Sequence, residues 1–229
     1  STRVRSSAAS DVYKRQKWLI KKMDNEQKKG MMRAAADDFW DMILLNILFV
    51  FSCLPIITYG AAVGALYFSV SHLEEKRRNG GAVAMYWKRL KLNFRKAAGL
   101  WCVLLAVACL AFMNFAILSQ MPPIARYCSY GLQAFVLVLA QVVTTVGFPI
   151  LSENGGSIMD AVKKSLEVLG RIPARVLFSC AIQVIPFAML FVVPKAFAGL
   201  FLLWIAVYFS FAERMIAAML EKTIRQEIS

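Results

Sequence analysis

The chain has 229 residues, 59% of them hydrophobic, with a mean hydropathy of +0.56 and a formal net charge of +13. Apolar content this far above that of an ordinary soluble domain argues for an all-α, polytopic membrane protein. A basic balance alone would suit nucleic acid, anionic lipid or an acidic substrate, but here the 27 Lys and Arg cluster between apolar runs. Basic ends of membrane segments explain that placement, and nucleic-acid binding is set aside.

In chain order, residues 6–16 read SSAASDVYKRQ, which matches an in-frame translation of a sequencing adapter. Residues 1–16 are therefore expected to be a disordered artefact and to stand outside the fold. Without them the charge falls from +13 to +10, and the native chain is expected to start at or before Met23.

The first apolar segments, 39–54 and 57–73, are separated by Pro55 and read as a membrane hairpin, whether it crosses fully or re-enters on the same side. The second carries Gly60 and Gly64 beside Ala61 and Ala65. That is a small-xxx-small pattern, which lets helix backbones approach closely in lipid. These four residues are the expected helix-packing positions.

The stretches LNILF, CLPIITYGAA and ALY, followed by a basic segment ending YWKRLKLNFRKA, resemble the YesL family, a bacterial membrane family of unknown biochemical function. The resemblance is densest over residues 45–97. It implies an integral membrane protein associated with carbohydrate uptake and catabolism, and it supplies no catalytic residues.

Beyond the hairpin, Asn79-Gly80-Gly81 opens a helix expected over 82–97. Val83, Tyr86, Trp87, Leu90 and Phe94 share one face, while Lys88, Arg89, Lys91, Arg95 and Lys96 share the other. This describes an interfacial amphipathic helix. Its basic residues serve either as a lipid-head-group or partner-docking surface, or simply as anchors that follow the positive-inside rule. Apolar segments are expected next at 99–120 and 127–151, with Pro122-Pro123 between them.

A second polar stretch repeats the first. Asn154-Gly155-Gly156 opens an amphipathic helix over 157–170 with Lys163 and Lys164 outward, and a gapless shift of 75 residues superposes the two stretches. Such a shift suggests an internal repeat of amphipathic helix plus apolar segment. Segments at 176–193 and 196–212 complete an expected bundle of about six membrane helices. The long basic stretches all fall on one side of such a bundle, which places them and both termini in the cytoplasm of a cell-membrane protein.

Groups that could carry chemistry are sparse. The five cysteines, Cys53, Cys102, Cys109, Cys128 and Cys180, form no CxxC pair and read as small buried apolar residues. His72 is the sole histidine and is expected at an interfacial tip. Within the apolar segments the polar residues are Asn46, Asn114, Gln141, Thr144, Thr145 and Gln183, with acids such as Asp41 and Glu213 only near segment ends. The amides either bridge helices by hydrogen bonds or line a polar path for an uncharged solute. Pro186 is expected to kink its helix and free a carbonyl.

No catalytic, cofactor-binding or metal-binding residue is identified, so no cofactor is expected. The implied partners are a bilayer with anionic head groups and other membrane transport components. Two functions stay open: a non-enzymatic accessory component of carbohydrate uptake, and a facilitator that itself conducts a small neutral solute. An intramembrane enzyme would need a carboxylate pair, a Ser/His dyad or a metal site, and none is visible in the sequence.

Overall fold

The computed structural model describes residues 2–75, 80–118, 122–200 and 204–228, and every regular element among them is helical. Asn79 of the first turn, residues 119–121 and residues 201–203 of the expected last segment lie outside the described residues. The chain divides into residues 1–41 and 42–229.

The first unit is helical from Thr2 and forms the opening of α1 (Thr2–Ser52). Strong helix formers dominate it and no proline occurs before Pro55, so the backbone is helical over 2–16 as well, where the sequence suggests disorder. Its origin as an adapter translation remains a matter of sequence alone. Lys29 and Glu26 pair at 3.0 Å on its exposed surface.

In the second unit α1 stops at Ser52, ahead of Pro55. The turn is closed by the Thr58 hydroxyl, which donates to the Pro55 carbonyl at 2.6 Å and also to that of Ser52. After the 3-10 turn Ile56–Thr58, α2 (Tyr59–Ser71) is buried without interruption from Gly60 to Val70. It forms the axis on which α3 (Ala82–Leu118), α5 (Phe148–Asn154) and α9 (Phe209–Ile228) pack. Burial on every side explains why α2 has no amphipathic pattern.

The amphipathic helix expected at 82–97 and the segment expected at 99–120 are one continuous helix, α3. The junction Ala97-Ala98 consists of the strongest helix former, and Gly99 alone does not break it. Between α4 (Pro123–Val142) and α5 the backbone widens into a π-helical turn, Val143–Gly147. Pro149 lies just beyond and has no N–H to offer the Thr145 carbonyl, which favours that wider turn. The helix α6 (Ile158–Arg171) starts at Ser157, whose hydroxyl accepts from the Met159 N–H. It meets α7 (Pro173–Val192) at 116°. A short α8 (Pro194–Gly199) and a second π turn, Trp204–Tyr208, lead to α9.

Among the described residues, two stretches are long and apolar enough to cross a membrane, Ala82–Phe115 and Pro123–Asn154. The bent pair Ile158–Arg171 with Pro173–Pro186 makes a third if taken as one span. The remaining expected crossings do not appear as such helices. Residues 39–52 follow Asp37 and Asp38 and leave too short an apolar stretch before α1 ends, and Ile56–Ser71 is a short apolar helix. The described residues of 196–212 are divided among α8, a π turn and the start of α9. Leu110, Phe112 and Phe115 on α3, with Leu132 and Phe135 on α4, lie exposed, an apolar outer surface compatible with surrounding lipid.

Candidate functional site

Four aromatic rings gather where the first hairpin meets α3 and α9. Phe49 at the end of α1 lies 6.2 Å from Tyr59 and 5.1 Å from Phe209, and Tyr59 lies 4.5 Å from Trp101 on α3. The Trp101 indole N–H donates to the Ile56 carbonyl at 2.7 Å, which fixes its ring against the turn. These rings, with Cys53, Ile56, Gln141 and Thr144, line a cleft of about 440 Å³. Its chemistry is apolar faces with a few polar groups, the Gln141 amide and the Thr144 hydroxyl among them, the usual composition of a small-molecule site.

Behind the cleft runs a chain of polar groups. The Gln141 amide donates to Gln183 Oε1 at 3.2 Å, the Thr145 hydroxyl donates to the same oxygen at 2.8 Å, and Gln183 Nε2 donates to Glu213 Oε1 at 2.7 Å. Glu213 is only 5% exposed. Sequence position misleads here, because Glu213 follows the last apolar segment and reads as an end residue. It lies inside the helix packing because it shares a stripe with the buried Ile216, Ala217, Leu220 and Ile224. That spacing of three, four, seven and eleven residues was the signal available for it.

Both π turns flank this chain. Thr144 in the first returns its hydroxyl to the Ala140 carbonyl at 3.0 Å, and the Thr145 hydroxyl shares its single proton between Gln183 Oε1 and the Gln141 carbonyl at 3.0 Å. Beyond the second, the Ser210 N–H points away from its own helix to Asn46 Oδ1 at 2.8 Å. Such turns leave backbone groups free for partners across helices. Pro186 does the same on α7. It cannot donate to the Ile182 carbonyl, and the Tyr208 hydroxyl supplies that bond at 2.6 Å.

The expected site residues separate into groups. Asn46, Gln141 and Gln183 are interhelix bonds around the polar chain, whereas Asn114 lies exposed in a groove between α3 and α4, away from it. Gln133 in that groove donates to the Ala111 carbonyl and was not singled out by sequence. Gly60 and Gly64 face α5. A Cβ on Gly60 would stand 2.6 Å from the Phe148 ring, and one on Gly64 would stand 2.9 Å from the Phe148 carbonyl oxygen. Ala61 and Ala65 are buried beside them.

Among the basic residues, Lys88, Lys91, Arg95, Lys96 and Lys163 are exposed and Lys164 is half-buried. Arg89 turns inward. It donates to the Ser152 carbonyl at 3.0 Å and lies 3.7 Å over the Phe68 ring. Asn93 donates to the same carbonyl at 3.3 Å, and Lys96 donates to those of Gly155 and Gly156. The inward face of this helix is thus Met85, Tyr86, Arg89, Leu90 and Asn93, with Val83, Trp87 and Phe94 outward.

At the opposite end of α2, His72 stacks on Phe68 with 4.3 Å between ring centres and lies 3.6 Å from Glu153. A polar cavity of about 440 Å³ beside it is lined by Glu74, Glu75, Arg214, Glu221 and Arg225. Arg225 pairs with Glu221 at 2.6 Å, and Arg214 donates to the Val70 carbonyl at 2.5 Å. Cys102, Cys109 and Cys128 are exposed on α3 and α4 rather than buried, Cys53 is half-buried, and Cys180 is buried. An apolar segment facing outward accommodates a thiol as readily as a core does. Among the described residues no three His, Cys, Asp or Glu side chains gather as a metal group.

A protein-family model described as "Protein of unknown function, DUF624" matches residues 42–115. The match opens at the buried end of α1 and runs through α2 and most of α3, so it includes Phe49, Tyr59 and Trp101 of the cleft. No curated protein and no solved structure matches the chain.

Proposed function

We propose that the chain is a multi-pass membrane protein of the YesL kind that accompanies carbohydrate uptake without catalysing a reaction, and that its cleft holds a small neutral solute. The observation that carries this reading is the cleft itself, where the rings of Phe49, Tyr59, Trp101 and Phe209 enclose a space into which Gln141 and Thr144 bring hydrogen-bonding groups. Apolar C–H faces of a polyol can lie on the rings while its hydroxyls reach the amide. The family match over 42–115 agrees with the YesL resemblance.

A second reading, in which the chain itself conducts the solute, draws on the polar line from Gln141 through Gln183 to Glu213 behind the cleft. Swelling of proteoliposomes that contain only this protein, in iso-osmotic glycerol or glucose, separates the two. Entry faster than in empty vesicles, reduced by Trp101→Ala, is the result expected of a conductor. Retention of the sugar by the detergent-solubilised protein without vesicle entry is the result expected of an accessory component. Failure of both would remove the cleft as a solute site.

The topology that goes with this function has both termini and the basic stretches in the cytoplasm, with the 39–73 hairpin returning its flanks to that side whether it crosses or re-enters. Gly80 and Gly155 have φ of 77° and 60°, which disfavours other residues there, so reporter cysteines belong on the exposed Lys88 and Lys163. In intact cells and a background free of native cysteines, these should resist an impermeant thiol reagent while Ile124→Cys reacts. Labelling of Lys88→Cys from outside would invert the topology.

A further inference from the structure

We propose that Glu213 is a proton-binding site whose occupancy is relayed to the cleft through Gln183 and Gln141. One carboxylate oxygen accepts from Gln183 at 2.7 Å, while Oε2 is buried and has no hydrogen-bond partner among the described residues. A cavity of about 10 Å³ lies against it, lined also by Gln183, Tyr208, Phe49, Tyr59 and Phe209. The last three rings form the wall of the solute cleft as well, so a single layer of aromatics separates the carboxyl group from the cleft.

The surroundings favour a proton over other ligands. On α9 itself the adjacent Arg214 is turned to the Val70 carbonyl, and Arg225 is paired with Glu221 farther along. Tyr59 and Tyr67 on α2 bring neutral phenols, and His72 lies at the far end of that helix beside Glu153 of α5. From α7 the facing group is the Gln183 amide, and from α1 Asn46 is engaged by Ser210, with Cys53 a neutral thiol at the turn beyond. On α6 the charged Lys163, Lys164 and Glu167 lie exposed or half-buried, apart from this cavity. No described cation forms an ion pair with Glu213. A buried carboxylate without a counter-charge takes up a proton instead. A metal cation would need about six oxygen ligands, whereas the Tyr208 hydroxyl is committed to the Ile182 carbonyl and only one carboxylate oxygen is free.

The relay consists of two bonds. Gln141 lines the cleft and donates to Gln183 Oε1, and the other end of the same Gln183 amide donates to Glu213. A solute that engages Gln141 removes one of the two donors to Gln183 Oε1, leaving the Thr145 hydroxyl as the other, and so alters the group that holds the carboxyl. By linkage, protonation of Glu213 alters the cleft to the same extent in free energy. The inference rests on the cleft being a solute site for its purpose, while the proton site itself does not.

The test uses the full chain in lipid nanodiscs and needs no solute. Infrared difference spectra across a pH titration should contain a protonated-carboxyl band that is lost in Glu213→Gln and shifted in Gln183→Leu, which keeps the carboxyl and removes its donor. A band unchanged by Glu213→Gln would overturn the proposal. If that variant fails to fold, an unshifted band in Gln183→Leu would overturn it equally. The relay is read from Trp101 emission, isolated by subtracting the spectrum of Trp101→Phe. It should titrate with the same midpoint as the band and lose that titration in Gln141→Leu, and a flat response in the parent would overturn the relay. A negative vesicle-swelling result leaves both readouts intact, so failure of the solute reading is distinguishable from failure of the proton site.

Discussion

The two segments related by the 75-residue shift begin alike and end differently. Each opens on Asn-Gly-Gly with a left-handed glycine, at φ 77° for Gly80 and 60° for Gly155, and each continues into an amphipathic helix. The first then runs straight on to Leu118, whereas the second turns by 116° after Arg171. At the point of divergence Ala98 corresponds to Pro173. Proline removes a donor and excludes the residue before it from helical geometry, and Ile172 accordingly has φ −134° and ψ 59°. One residue thus makes a projecting rod of one copy and an elbow of the other. The elbow sets α6 against the π turn, where the Ser165 hydroxyl stands 3.0 Å from the Cβ position of Gly147, and leaves α7 to present Gln183 to Glu213.

The strongest way to break this comparison is to give the first copy the proline of the second. Ala98→Pro should destabilise the protein by about 3 kcal/mol or more, because Ala98 is buried in the middle of α3. A large fall in the thermal unfolding temperature in detergent is the expected readout. If stability is retained, the junction at 97–98 is not the continuous helix described.

The next effect concerns the helices that precede the two turns, α2 and α5, which pack on each other. Gly64→Leu would place side-chain atoms where a Cβ alone already comes within 2.9 Å of the Phe148 carbonyl oxygen and 3.2 Å of the Ser152 Cβ. Backbone cannot yield as a side chain can, so a cost of about 1–3 kcal/mol is expected. Gly60→Ala should cost less because it adds a single carbon, although that carbon would stand 2.6 Å from the Phe148 ring and 2.9 Å from the Trp101 Cβ. Equal stability of Gly64→Leu and parent in thermal melts would show that α2 and α5 are farther apart than this.

How much of this was legible in sequence follows the range of each interaction. Helical class, the break at Pro55, the small-residue face of α2 and the carbonyl freed by Pro186 are set by composition and local chemistry, and each is visible in the linear pattern. The number of crossings was not, because an apolar run carries its composition but not the place where its helix stops. Residues 57–73 are apolar enough, yet the helix is short and buried on all sides. Arg89 and Asn93 were hidden for another reason. They fall among basic and polar neighbours on a helix whose inward face is decided by what α5 offers it, namely unpaired carbonyls.

Those carbonyls give the finest distinction between the copies. The last turn of α5 and the Gly155-Gly156 turn after it present carbonyl groups without helical partners, and the first copy supplies Arg89, Asn93 and Lys96 to meet them at Ser152, Gly155 and Gly156. The corresponding residues of the second copy are Lys164, Val168 and Arg171, so the charges are kept and the amide is replaced by a buried valine. Asn93→Val copies that difference into the first segment. The Ser152 carbonyl would keep Arg89 as a donor and lose one hydrogen bond at 3.3 Å. The valine would add a buried apolar surface that partly offsets the loss, which leaves a cost of about 1 kcal/mol. Arg89→Met in the same background should cost more than it does in the parent, because the carbonyl would then have neither donor. A double-mutant cycle by thermal or denaturant unfolding measures that coupling. Strict additivity of the two changes would mean that Arg89 and Asn93 do not share the carbonyl and that the first copy's basic face is not a cap for α5.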